Sequence, residues 1–161
     1  MDPSSAAVAF VGLGASIVTL AGLALESYSI LKRVLSAFKH APREVARLCQ
    51  QLAEMESVLK LIGCQALELE PEVRRLLASV IGEMHQDLSE LRGNMKKLEE
   101  LLGKERTASR QLEARLRHVL LEGKIKEHRQ RATSYITQLN LILTMSNRQV
   151  FRLKSAQLEN S

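Results

Sequence analysis

The chain has no tryptophan, five aromatic residues, three prolines and two cysteines in 161 positions. Sheet proteins draw on aromatic and β-branched residues and on frequent turn residues, so this scarcity argues against strands. Two cysteines, Cys49 and Cys64, cannot build a disulfide framework or a zinc site. They read as small apolar fillers in a reducing compartment. The start, Met1-Asp2-Pro3-Ser4, carries no basic segment ahead of its apolar stretch, so a secretory signal is not expected. The cytosol is the expected location.

Catalytic signatures are missing too. Gly103-Lys104 runs into Glu105 without the upstream glycine of a phosphate loop, and Gly12-Leu13-Gly14 lacks the third glycine of a dinucleotide loop. No serine sits in a Gly-x-Ser-x-Gly elbow. His40, His85, His118 and His128 are scattered, with no pair four residues apart. No enzyme, metal or cofactor is expected.

What is present is helix-forming. Hydrophobic residues make up 45% and charged residues 25%, a balance that supports a folded core. Leu, Ala, Glu, Arg, Lys and Gln dominate, and these are strong helix formers. The prolines fall where helices begin: Asp2 can cap with Pro3 at the first helical position, and Pro42 and Pro71 suit two later starts. The first stripe is Leu13, Ile17, Leu20, Ala24, Tyr28, Leu31, Leu35 and Phe38, ending near His40. Val45, Leu48, Leu52, Met55, Leu59 and Ile62 make the second, stopped by Gly63-Cys64. Leu77, Ile81, Met84, Leu88, Leu91, Met95, Leu98 and Leu102 make the third, a heptad-like run stopped by Gly103. Beyond it, Leu112, Leu116 and Val119 or Leu120 form a short stripe. After Gly123 come Ile125, Ala132, Ile136, Leu139, Leu143, Val150 and Leu153. The expectation is an all-α antiparallel bundle of four to five helices, one domain over residues 1–154 with a first helix at about 3–39. Residues 155–161 read as a tail or the start of a linker.

Two segments carry functional information. Ala6–Leu25 holds 20 consecutive uncharged residues, about 30 Å as a helix, which matches the hydrocarbon thickness of a bilayer. Its nine large apolar side chains favour insertion by roughly 3–5 kcal/mol, and Gly12, Gly14, Gly22, Ser16 and Thr19 offset part of that. Gly12 and Ser16, and Ala15 and Thr19, have small-xxx-small spacing. Either the small residues pack closely within the bundle or the segment changes partners. Phe10, Gly12, Leu13, Gly14, Ile17 and Leu20 are the candidate membrane-inserting residues, with Lys32, Arg33 and Lys39 left at the cytosolic face. The second segment, residues 104–131, holds nine bases against four acids. Arg110, Arg115, Arg117, Lys124 and Lys126 are its candidates for anionic lipid, although a solvated helix face with interleaved acids needs no partner.

Three stretches resemble the N-terminal domains of fungal STAND proteins, NOD-like receptors whose bundles are related to HeLo and HeLo-like cell-death domains. They are Met1–Ala7 ahead of the Gly/Ala-rich helix, Ala41-Pro42-Arg43-Glu44-Val45 leading to Leu48 and Leu52, and Leu116–Leu120 with Lys124–Glu127 and Leu139–Leu143. Many members have an aromatic residue where this chain has His118. The resemblance implies an effector or signalling domain that oligomerises and then acts on a membrane or recruits a related helical domain. An interaction module associating through residues 72–102, without membrane activity, is the alternative. A nucleic-acid binder using Lys104–Arg131 ranks below both for want of aromatic stacking platforms.

Overall fold

The computed structural model describes residues 3–36, 38, 42–104 and 124–161, with side chains in the first helix described from Gly12 onward. Four α-helices fill this range: α1 (Pro3–Ser36), α2 (Arg43–Gln65), α3 (Pro71–Lys104) and α4 (Lys124–Glu159). A 3-10 turn, Ala66–Glu68, leads from α2 toward α3. Among the described residues there is no strand, and the architecture is an all-α bundle.

The helix ends show local chemistry. α1 stops at Ser36, ahead of the expected His40. The Ser36 hydroxyl donates to the Arg33 carbonyl at 2.6 Å, and the Phe38 N–H donates to Leu35 O at 3.0 Å. Such contacts tighten and close a final turn. Pro42 stands one position outside its expected place. It is the N-cap of α2, extended at φ −57° and ψ 132°. Its carbonyl accepts from Val45 N–H and Ala46 N–H at 3.1 and 3.2 Å. Pro71 opens α3, where a missing N–H costs nothing. α4 runs through residues 155–159, whose side chains lie largely in solvent.

Long-range hydrogen bonds fix the helix directions. Glu26 and Arg33 of α1 meet Arg92 and Glu99 of α3 in the same order, so these helices run parallel. Glu44, Gln51 and Gln65 of α2 meet Arg129, Thr133 and Ser146 of α4 in the same order. α1 packs on α2 and α3, while α4 packs chiefly on α2 and less on α3. One end of the bundle therefore gathers the N-terminal part of α1, the C-terminus of α2 and the C-terminal part of α4. The opposite end gathers the starts of α2 and α4.

The expected stripes form the core. Leu48, Leu52, Leu59, Leu88, Leu91, Leu98, Ile136 and Leu139 are buried, whereas Leu143 is half-buried and Leu153 is exposed. The departure in α4 comes from helix geometry. A straight helix turns every 3.6 residues and drifts against a strict three-four alternation. The inner face thus moves to Tyr135, Ile142 and Ser146, all buried. Of the cysteines, Cys49 is a buried filler, but Cys64 is exposed.

Candidate functional site

The uncharged helix is part of the core along one side. Ile17 and Leu20 are fully buried, Leu13 and Gly14 are half-buried, and Gly12 is exposed. The Phe10 side chain lies outside the described ones. The six candidate inserting residues therefore do not share a face. Ala15, Ser16, Val18, Thr19, Gly22 and Leu25 face outward with Gly12, and Val18 is 72% exposed. Ser16 donates its hydroxyl hydrogen to Gly12 O at 2.8 Å, Thr19 to Ala15 O at 2.9 Å and Ser29 to Leu25 O at 3.0 Å. A shallow groove of about 540 Å³ separates Leu13, Ala15, Ser16 and Thr19 from Ala78, Ile81, Gly82 and His85 of α3.

Among the described residues, the glycines of α1 do not serve close packing. A β-carbon built on Gly12, Gly14 or Gly22 would meet nothing within 4 Å. Among the described glycines, Gly63 of α2 alone lies against α1, where a β-carbon would stand 3.4 Å from Ile17 Cγ2. Of the two readings of the small residues, close contact inside the bundle finds no counterpart at these three glycines among the described residues.

Charged pairs fasten α1 to α3. Glu26 accepts from Arg92 Nη1 at 3.1 Å and pairs with Lys96 Nζ at 3.3 Å. The Arg92 and Lys96 hydrogen bonds hold the Glu26 carboxyl below the ordinary glutamate range. Arg33 reaches Glu99 through Nε at 3.1 Å and Nη2 at 3.0 Å. Next to Glu26, Ser27 is wholly buried and its hydroxyl has no hydrogen-bond partner among the described residues. Lys32 lies over the Tyr28 ring, 5.7 Å from its centroid. Lys39 is outside the described residues.

The basic candidates are divided. Arg110, Arg115 and Arg117 lie outside the described residues. Lys124 and Lys126 are exposed in the first turn of α4. Lys126 borders a hollow of about 420 Å³ with Glu44, Ile125, Arg129, Gln130 and Thr133, and Arg129 pairs with Glu44. From Lys124 to Ser146, α4 rises about 33 Å. Ser146 donates to Gln65 at the end where Ile17 meets Gly63. Lys124 and Lys126 thus stand at the far end of the bundle from the exposed Gly12, Ala15 and Ser16 of the uncharged helix. An alternating four-helix order was enough to foresee this opposition.

Sequence reading missed a polar cluster where α3 meets α4. Asp87 accepts from Tyr135 and, at 3.1 Å, from Arg131, which also donates to Glu127. Burial, and then the Asp87 contact, push the Tyr135 phenol above its ordinary range, while burial lowers the neighbouring His128. The adjoining cavity is about 10 Å³ and otherwise lined mainly by Leu48, Leu52, Met55, Leu88 and Leu91. That is no more than a water's space, so this cluster ties helices together and offers no substrate pocket. Among the described residues, no group of three or more His, Cys, Asp and Glu side chains is placed to hold a metal.

A family model described as pigment biosynthesis cluster protein PigL N-terminal matches residues 8–160. No curated protein and no solved structure matches the chain.

Proposed function

The chain belongs to the PigL N-terminal family, and we propose that this domain is a non-catalytic helical signalling module. In this reading it rests in the cytoplasm, self-associates, and then acts on a membrane through α1. The finer kinship with fungal STAND and HeLo-like domains is part of the proposal and rests on the sequence stretches named above.

One observation carries the reading: from Gly12 to Ser36, α1 is long and apolar enough to cross a bilayer. Lipid tails are as apolar as a leucine core. Moving Ile17, Leu20, Leu23 and Ala24 from the bundle into lipid therefore keeps them out of water, and their hydrophobic stabilisation is largely retained. The costs fall on the ion pairs to α3 and on the surfaces of α2 and α3 that α1 covers. Self-association supplies new cover for those surfaces. Glu26 sets the limit of insertion, because a carboxylate at the bilayer centre costs about 2.5–3.5 kcal/mol. The inserting stretch is then the uncharged run Ala6–Leu25, which shares Gly12–Leu25 with the span Gly12–Ser36, and Glu26 is left at the headgroups.

Val18→Glu is the cleanest test, since Val18 is 72% exposed and the change spares the core. The variant keeps its helical circular dichroism and loses liposome leakage. Leu13→Glu and Gly14→Glu do the same with more strain, both positions being half-buried. A folded Val18→Glu protein that leaks like the parent removes α1 as the inserting element. The second reading, an interaction module whose α1 never leaves, then takes its place. The pairs Glu26–Arg92 and Arg33–Glu99 favour it.

A further inference from the structure

We infer that the C-terminal turns of α4, Arg148 to Leu158, form a docking surface for an anionic lipid membrane. The inference goes beyond the reading of α1 and stands without it. Between Glu127 and Glu159 the chain has no acidic residue, while it has Arg129, Arg131, Arg148, Arg152 and Lys154. The first two are committed, Arg129 to Glu44 and Arg131 to Asp87 and Glu127. For Arg148, Arg152 and Lys154, no carboxylate lies within ion-pair distance among the described residues. Their field is therefore directed outward, where it attracts a negative surface.

Bulky apolar side chains are interleaved with these bases. Phe151 is 72% exposed, Leu158 77% and Leu153 56%. Phe151, Arg148 and Arg152 border a hollow of about 460 Å³ together with Thr144 and Asn147. Exposed bases alternating with Phe and Leu on one helix match the headgroup layer, where ammonium and guanidinium groups meet lipid phosphate and the apolar groups sink below. Nucleic acid fits less well. A single phenylalanine is a poor stacking platform, and Leu153 and Leu158 have nothing to bury against on a phosphate backbone.

Position adds a third argument. The segment begins just past the last cross-helix hydrogen bond of α4 among the described residues, Ser146 to Gln65. It therefore projects at the bundle end that also carries the exposed Gly12, Ala15 and Ser16 of α1 and lies opposite Lys124 and Lys126. A bundle docked here presents the uncharged helix to the same membrane.

The test is sedimentation of the full chain with vesicles, either of phosphatidylcholine alone or of an equimolar mixture with phosphatidylserine. The parent sediments with the acidic vesicles only, and added salt releases it. Each base close to such a surface strengthens binding about five-fold, so Arg148→Gln/Arg152→Gln/Lys154→Gln weakens partitioning about 100-fold. Phe151→Ser weakens it with unchanged salt dependence, and Lys124→Gln/Lys126→Gln has no effect. A triple variant that sediments like the parent overturns the assignment. So does a parent that binds a double-stranded oligonucleotide as tightly as the acidic vesicles while Phe151→Ser changes neither. Leakage is not read by sedimentation, so a failure of the α1 mechanism leaves this result intact.

Discussion

Glu26 of α1 is gripped by Arg92 at 3.1 Å and Lys96 at 3.3 Å, one turn apart on α3. The three side chains are roughly half in solvent, so the grip contributes no more than about 1 kcal/mol. Its worth lies in being reversible.

Acid should loosen it. The Glu26 carboxyl is held below the ordinary glutamate value of 4.5. Its contribution is therefore complete above that value and lost as pH falls through the lowered one. Glu26→Gln should lower the melting temperature slightly at neutral pH and flatten the decline below pH 4.5. Thermal melts of parent and variant across this range check both effects.

Ser27→Ala should stabilise the bundle. A buried hydroxyl without a partner costs about 1–3 kcal/mol, and alanine removes it without enlarging the core. A gain of about 1 kcal/mol raises the melting temperature by roughly 2–4 °C in a domain of this size. If α1 must leave the bundle, the same variant leaks liposomes more slowly.

Gly22→Ala should also stabilise, by about 1 kcal/mol, because the new methyl group meets open space and helix propensity improves. Any assembly that presses a second helix against Gly22 should weaken at once. Calorimetry combined with light scattering separates the two effects.

Leu91→Ala should cost roughly 2–5 kcal/mol, as truncation of a buried leucine does. Leu143→Ala should cost distinctly less, since Leu143 is only half-buried. Equal losses in denaturant titrations would contradict the register of α4.

A tether tests whether α1 moves. Ile17→Cys/Gly63→Cys, with Cys49 and Cys64 replaced by serine, places two thiols where a Gly63 β-carbon would stand 3.4 Å from Ile17 Cγ2. Oxidation should stop leakage and reduction should restore it. Equal leakage in both states means that this part of α1 stays packed.

The stripes of α2 and α3 were legible because heptad-like spacing is a local property, and Leu48, Leu52, Leu88 and Leu91 lie where that spacing puts them. The inner face of α4 was legible as far as Leu139. There the difference between 3.5 and 3.6 residues per turn hands the core to Ile142 and Ser146. The meeting of Asp87, Tyr135 and Arg131 was invisible, since residues 44 and 48 positions apart are joined only by the bundle's topology. The outward glycines left two readings open for a related reason. Small-xxx-small spacing states that a face is smooth and leaves open what lies over it. The basic run at 104–131 drew attention by density, while the sparser bases at 148, 152 and 154 stand among exposed Phe151, Leu153 and Leu158.

The hydroxyls of Ser16, Thr19 and Ser29 each return to a carbonyl one turn back. These three hydroxyl hydrogens of α1 are thereby occupied within their own helix, as happens when Ser and Thr sit in helices surrounded by hydrocarbon. The outward rim of α1 mixes small, apolar and hydroxyl side chains and makes little demand on water. Water, a neighbouring helix and an acyl chain become nearly equivalent surroundings for it. The helix can exchange one for another without breaking a hydrogen bond of its own.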